Sequence, residues 1–148
     1  MGTLAVNKRA HFDYEFLETY EAGLVLLGTE VKSVKAGNIS LKGSFIIIHD
    51  DQAYLTNSVV PPWQAANAPS DYDPNRSRKI LLKKAELKHL TGNRQKGLTI
   101  VPVRVYTKRS LVKIQIALAR GKHRFDKKKE KKEKDIFRET QRFLRGKE

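Results

Sequence analysis

Nine consecutive charged residues, KKKEKKEKD from Lys127 to Asp135, limit how much of this 148-residue chain can build a core. A helix in a protein is held mainly by an apolar face packed against something, and this stretch offers none for about two turns. The surrounding segment, Gly121 to Glu148, sets twelve Lys and Arg against six Asp and Glu, a net +6 in a chain whose total is +14. Its apolar residues Ile136, Phe137, Phe143 and Leu144 make only a short stripe near the end, with Thr140 between them. The segment is expected to be poorly ordered by itself and to turn helical against a partner that supplies negative charge. Nucleic acid is the polyanion that fits. Folding then falls to a globular head, residues 1–120, with 121–148 as a basic tail.

Composition narrows the class. A hydrophobic content of 39% suits a modest core rather than a large enzyme with a deep cleft. The longest apolar run, Phe45 to Ile48, is strand-length and far short of a bilayer span. The opening MGTLAVNKRAHFDYEF lacks a secretory apolar region, and Val6 stands where a myristoylation signal needs Ser or Thr. The chain has no cysteine, which removes disulfides and thiolate metal sites and fits a reducing compartment, so the cytoplasm is the expected address. A pI near 10.1 could also mean a lipid surface, but that needs a bulky apolar face along one helix. The tail stripe is too short for it.

Along the head, residues 1–11 read as a basic arm. Phe12 to Leu27 reads as a long bent strand, or two strands meeting at Gly23. Residues 29–37 (TEVKSVKAG) predict a short helix with Thr29 as cap, Glu30 complementing the positive end and Gly37 in the left-handed position after it. Val31 and Val34 would face inward, with Lys32 and Lys35 on another face. Residues 44–49 and 52–58 flank Asp50-Asp51 as a hairpin. Residues 61–79 form a Pro-, Asn- and Ser-rich loop. Ile80 to Leu82 reads as a short strand or the approach to a helix, and Lys84 to about Gln95 as that helix, with Leu87 and Leu90 inward. Leu98 to Tyr106 and Leu111 to Leu118 alternate and pair across a polar turn at 107–110, with Pro102 marking an edge or a bulge. Five or six strands in so few residues bury their edges best by closing into a small antiparallel barrel, with an oligonucleotide-binding-like barrel the natural form and a sandwich the alternative. Phe16, Tyr20, Phe45 and Tyr106 are read as its core.

Catalytic chemistry is thin. His11, His49, His89 and His123 lie in separate segments without metal-ligand spacing, Asp71 and Asp73 fit side-chain-to-backbone turn bonds, and no phosphate loop or nucleophile elbow occurs. No catalytic residue, metal or cofactor is expected. Binding signals are stronger, because cations are interleaved with rings: Lys8, Arg9, His11, Phe12 and Tyr14; Trp63 and Tyr72 before Arg76, Arg78 and Lys79; His123, Arg124 and Phe125 before the lysine run. Cations on phosphate with flat side chains on bases is how looped or single-stranded RNA is gripped. Phe125 in particular has no neighbours to build a core around it.

An ordered set of segments carries a resemblance: NKRA (7–10), EAG (21–23), GTEVKS (28–33), DPxRxRK (73–79), GLTxVP (97–102), ARGK (119–122) and the DKK opening of the tail (126–128). Together these resemble the family of SsrA-binding proteins, the tmRNA-binding small protein B family, across nearly the whole chain. The resemblance implies an oligonucleotide-binding-like barrel with flanking helices and a monomer that binds the tRNA-like end of tmRNA. It also implies delivery of that RNA to ribosomes stalled on messages without a stop codon, with the tail helical in the empty mRNA channel. Carried onto this chain, tmRNA contact falls to Asn7, Lys8, Arg9, His11, Tyr14, Glu21, Glu30, Lys32, Lys35, Arg76 and Arg78. Contact with ribosomal RNA at the decoding centre and mRNA channel falls to Gly121, Lys122, His123, Arg124, Phe125, Asp126, Lys127, Lys128, Lys131 and Lys132. Phe12, His123 and Lys128 depart from the family pattern; Lys128 in place of Arg loses bidentate phosphate geometry. A ribosomal or initiation-type protein with a similar barrel and basic tail is the other reading.

Overall fold

The computed structural model describes residues 2–63, 71–94 and 96–122. Seven strands and three short helices follow in the order β1 (Gly2–Val6), α1 (Lys8–Asp13), β2 (Tyr14–Leu24), α2 (Gly28–Lys35), β3 (Phe45–His49), β4 (Gln52–Thr56), β5 (Arg78–Leu81), α3 (Lys84–Arg94), β6 (Thr99–Lys108) and β7 (Leu111–Gly121). All pairings in the sheet are antiparallel, in the order β1-β6-β7-β2-β5-β4-β3.

The sheet curls until β3 comes against β6, yet it does not close. This corrects the expected closed barrel. Part of the cause lies at the N-terminus, where the expected basic arm is structured. Residues 2–6 pair with β6 from Arg104 to Thr107 and so occupy an edge that closure would use. The following turn is fixed by Asn7, 8% exposed, whose backbone N–H donates to Val103 O at 2.8 Å and whose Nδ2 donates to Pro102 O at 2.9 Å. Those carbonyls are available because β6 is bulged between Pro102 and Arg104, as the proline foretold.

Both hairpins turn on two residues with positive φ: Asp50 and Asp51 at 49° and 56°, Arg109 and Ser110 at 51° and 67°. Primed turns of this kind match the right-handed twist of their strands. Alternation along β7 then sends Ile114, Ile116 and Leu118 into one core with Leu24, Val34, Leu55, Ile80, Leu90 and Ile100. Ala117 and Ala119 go to the opposite face, where Val101, Val103 and Ala10 of α1 form a second cluster. The α2 helix starts one residue before Thr29. Leu27 holds the cap position, and Glu30 Oε1 accepts from the Leu27 N–H at 2.8 Å. Gly37 has φ +86°, and its N–H donates to Val34 O at 2.9 Å. Of the four aromatics read as core, Tyr106 is buried and Phe16 and Tyr20 are half-buried, while Phe45 is 46% exposed. The run from Phe45 to Ile48 has no polar residue to mark its phase, and the buried position is Ile46.

Replacing Asp51 or Ser110 by Gly relieves a left-handed conformation that side chains disfavour. Each variant is expected to gain about 1 kcal/mol in urea unfolding, with an unchanged slope. A decrease in stability would show that these side chains hold the turns in some other way.

Candidate nucleic-acid interface

The sequence-predicted residues gather in three places. The first is the end of the sheet where α1 meets the close of β7. Tyr14 pairs with Gly121, the Lys122 N–H donates to Asp13 O at 2.9 Å, and Lys122 Nζ donates to His11 O at 3.1 Å. Asn7, Lys8, Arg9, His11, Tyr14, Gly121 and Lys122 are thereby brought together. Arg9 Nε donates to Asp13 Oδ2 at 3.0 Å, and its guanidinium lies 5.3 Å from the Phe12 ring centroid. The His11 ring sits 4.8 Å from that of Phe16. Lys8 and Arg9 are exposed and, with Lys42, border a groove of about 480 Å³ floored by Leu4, Val6 and Ile39. Cations rimming an apolar trough can meet phosphate while a base lies below. Exposed ion pairs such as Arg9–Asp13 contribute little to stability, so these charges remain available to a polyanion.

The second place is built on Glu30. Its Oε1 takes Arg76 Nη2 at 2.5 Å, and its Oε2 takes Arg78 Nη2 at 2.5 Å and Arg78 Nε at 2.8 Å. The Tyr72 hydroxyl donates to Val60 O at 2.7 Å and lies 3.2 Å from Oε2. Arg78 donates further to Ser58 Oγ at 3.1 Å, Arg76 O at 2.9 Å and Pro74 O at 3.1 Å. Burial pushes the Glu30 carboxyl up, but the hydrogen bonds from Arg76, Arg78 and the Leu27 N–H outweigh it and hold the carboxyl below its ordinary value. Glu30 and Arg78 are both 0% exposed. They present no surface to RNA in this structure and instead clamp residues 72–78 onto α2. Arg76 is half-buried, whereas Lys32 and Lys35 are exposed on the side of α2 away from Glu30, Ser33 and Val34.

The third place holds Glu21, midway along β2 and opposite Gln115 of β7. Its carboxylate accepts from the Tyr106 hydroxyl and from Lys108 Nζ at 3.3 Å. The Tyr106 bond, then Lys108, hold the carboxyl below its ordinary value. Burial, then that same bond, raise the Tyr106 hydroxyl to about 12. Arg104 lies over the Tyr106 ring at 4.4 Å and donates from Nε to Gln115 Oε1 at 2.8 Å. Sequence reading missed Arg104, Tyr106, Lys108 and Gln115 as a group. The available signal was the two-residue turn at 109–110, which sets Arg104 opposite Gln115 and Tyr106 opposite Lys113. His123, Arg124, Phe125, Asp126, Lys127, Lys128, Lys131 and Lys132 lie outside the described residues.

Asn75 N–H donates to Asp73 Oδ1 at 2.9 Å, the turn bond expected of that loop. Among the described residues no helix is long and apolar enough to cross a membrane, and no three His, Asp or Glu side chains stand close enough to share a metal ion.

Comparison with known proteins adds what geometry alone does not. The sequence pattern of the SmpB protein family matches residues 4–146. An SsrA-binding protein of Sulfurihydrogenibium is 48% identical over 97% of this chain and 95% of its own length. One of Thermosynechococcus vestitus is 46% identical over 96% and 94%. A solved chain described as "tmRNA-SmpB: a journey to the center of the bacterial ribosome" is 47% identical, with a TM-score of 0.64 over 83% of this chain and 90% of that one.

Glu30→Gln removes the charge that neutralises a buried guanidinium and is expected to cost about 3–5 kcal/mol. Because the folded carboxyl is held below its ordinary value, its contribution is present above about pH 4.5 and is lost as pH falls below that. Urea unfolding from pH 6 down to pH 3 should therefore show a fall in the parent protein that is shallower in Glu30→Gln. Parallel curves would show that Glu30 carries no linked proton.

Proposed function

The chain belongs to the SmpB protein family, and from that membership we propose that it is the tmRNA-binding protein of trans-translation. It binds the tRNA-like domain of tmRNA, brings that RNA to ribosomes stalled on messages without a stop codon, and stands there in place of an anticodon arm. The observation that carries this reading is the reach of the family match, residues 4–146, which takes in the folded head and the charged tail together. The protein works by binding rather than turnover, as a monomer, on a curled sheet that serves the role of an oligonucleotide-binding-like barrel.

The head, residues 1–120, carries the tmRNA contacts. Lys8 and Arg9, exposed at the groove beside α1, meet phosphate, with His11 and Tyr14 at the same end of the sheet; Lys32, Lys35 and Arg76 add contacts from α2 and the 72–78 segment. Glu30 and Arg78, buried as a pair, serve it by positioning the 72–78 segment. The tail, 121–148, carries the ribosomal contacts and probes the vacant mRNA channel. The end of β7 is tied to β2 through Gly121 and to α1 through Lys122, beside the residues that grip tmRNA.

Ending the chain after Lys122 is expected to leave affinity for the tRNA-like domain nearly intact while abolishing peptide tagging in a reconstituted translation system. A large drop in affinity would contradict this division of labour. Reversing Lys8 and Arg9 together to Glu should weaken binding and reduce the log–log salt slope by about 0.7–0.9 for each phosphate that the protein no longer neutralises. An unchanged slope would mean that α1 does not touch the RNA backbone.

A further inference from the structure

Asparagine is among the residues that best cap a helix, and Asn7 stands at the cap position of α1, yet its side chain makes no capping bond. It turns instead to the sheet. Its Nδ2 donates to Pro102 O at 2.9 Å, while its backbone N–H donates to Val103 O at 2.8 Å. The bulge between Pro102 and Arg104 thus offers two successive carbonyls of β6 to one residue. Only the amide nitrogen suits this place, because a carbonyl can accept a proton but not give one.

What this junction holds is the end of α1 that carries Lys8 and Arg9. Six residues are too few for a helix to persist by itself, so α1 depends on its anchors. At its close, the Lys122 N–H and Nζ reach the carbonyls of Asp13 and His11. In its middle, Ala10 is buried against Val101, Val103, Ala117 and Ala119. At its start, the anchor is Asn7. That residue is 8% exposed, with its backbone and side-chain amides both turned to β6, whereas Lys8 and Arg9 beside it are exposed.

Building on the RNA-binding reading above, we propose that Asn7 is a positioning residue for the tmRNA grip. Locked to the β6 bulge, it sets the start of α1 so that Lys8 and Arg9 meet phosphate, and it does not touch the RNA itself. Its part in tmRNA binding is therefore indirect.

The test pairs binding with hydrogen exchange, both on the full chain. Affinity for a transcript of the tRNA-like domain, read by fluorescence anisotropy at fixed salt, is compared for Asn7→Ala, for Lys8→Ala with Arg9→Ala, and for the triple variant. A helix that spends most of its time off the bulge lowers the apparent affinity by its competent fraction, and Asn7→Ala is expected to bind about tenfold more weakly. The triple variant should bind no more weakly than the Lys8–Arg9 double variant, because the loss acts through those two cations. In the free protein, amides of residues 8–13 should exchange faster in Asn7→Ala while the β6–β7 hairpin stays as protected as in the parent. Asn7→Asp separates the bulge bond from capping. Aspartate caps a helix as well as asparagine does but cannot donate to Pro102 O, so it should exchange as fast as Asn7→Ala.

Full addition of the Asn7→Ala penalty to that of the double variant would mean direct RNA contact and overturn the proposal. So would parent-like binding by Asn7→Ala, or parent-like exchange in Asn7→Asp. Loss of hairpin protection together with that of 8–13 would make Asn7 a general structural residue and overturn it equally. Failure of the parent to bind the transcript, or of the double variant to weaken binding, would overturn the broader reading along with it.

Discussion

The ion pair between Glu30 and Arg78 is the interaction on which the rest of the head depends. Removing two charges from water costs several kcal/mol each unless every lone pair and proton is matched. Here the matching is complete enough for both side chains to be fully enclosed. The partners come from α2, from the 58–60 segment and from residues 72–78, so one carboxylate and one guanidinium tie together three stretches that share no regular secondary structure. A hydrophobic replacement of the same volume would hold as well but would say less about where each stretch belongs. The pair supplies register: Arg78 opens β5, and β5 joins the β3–β4 hairpin to β2.

Much of this architecture was legible in the chain. The β6–β7 hairpin alternates cleanly over both strands, Pro102 marked its bulge, and Gly37 marked the end of α2, each through a local rule whose partner lies within a few residues. The failures share a different cause. Glu30 was read as a helix-end charge because its arginines stand 46 and 48 residues away, beyond any local pattern. GTLAV at 2–6 has neither a clean alternation nor a flanking turn signal to declare itself a strand, and it becomes one because β6 offers an edge. Phe45 fell on the wrong face because an unbroken apolar run carries no phase.

The same contrast governs the candidate interface. Basic residues near rings singled out the stretch from Lys8 to Tyr14 as a candidate from sequence, since charge and aromaticity are visible one residue at a time. The constellation around Glu21 depends on three strands lying in a particular register, and no single strand reveals it. Sites assembled across a sheet are hidden from sequence in proportion to the number of strands they need.

The two hydrogen bonds from Lys122 to α1 end on backbone carbonyls, those of His11 and Asp13. Any residue compatible with a short helix provides the same backbone acceptors. The outer lettering of α1 can therefore drift without moving the point at which the chain leaves the sheet, whereas melting that single helical turn would unhook it. Geometry and recognition are thus written on separate parts of the same six residues.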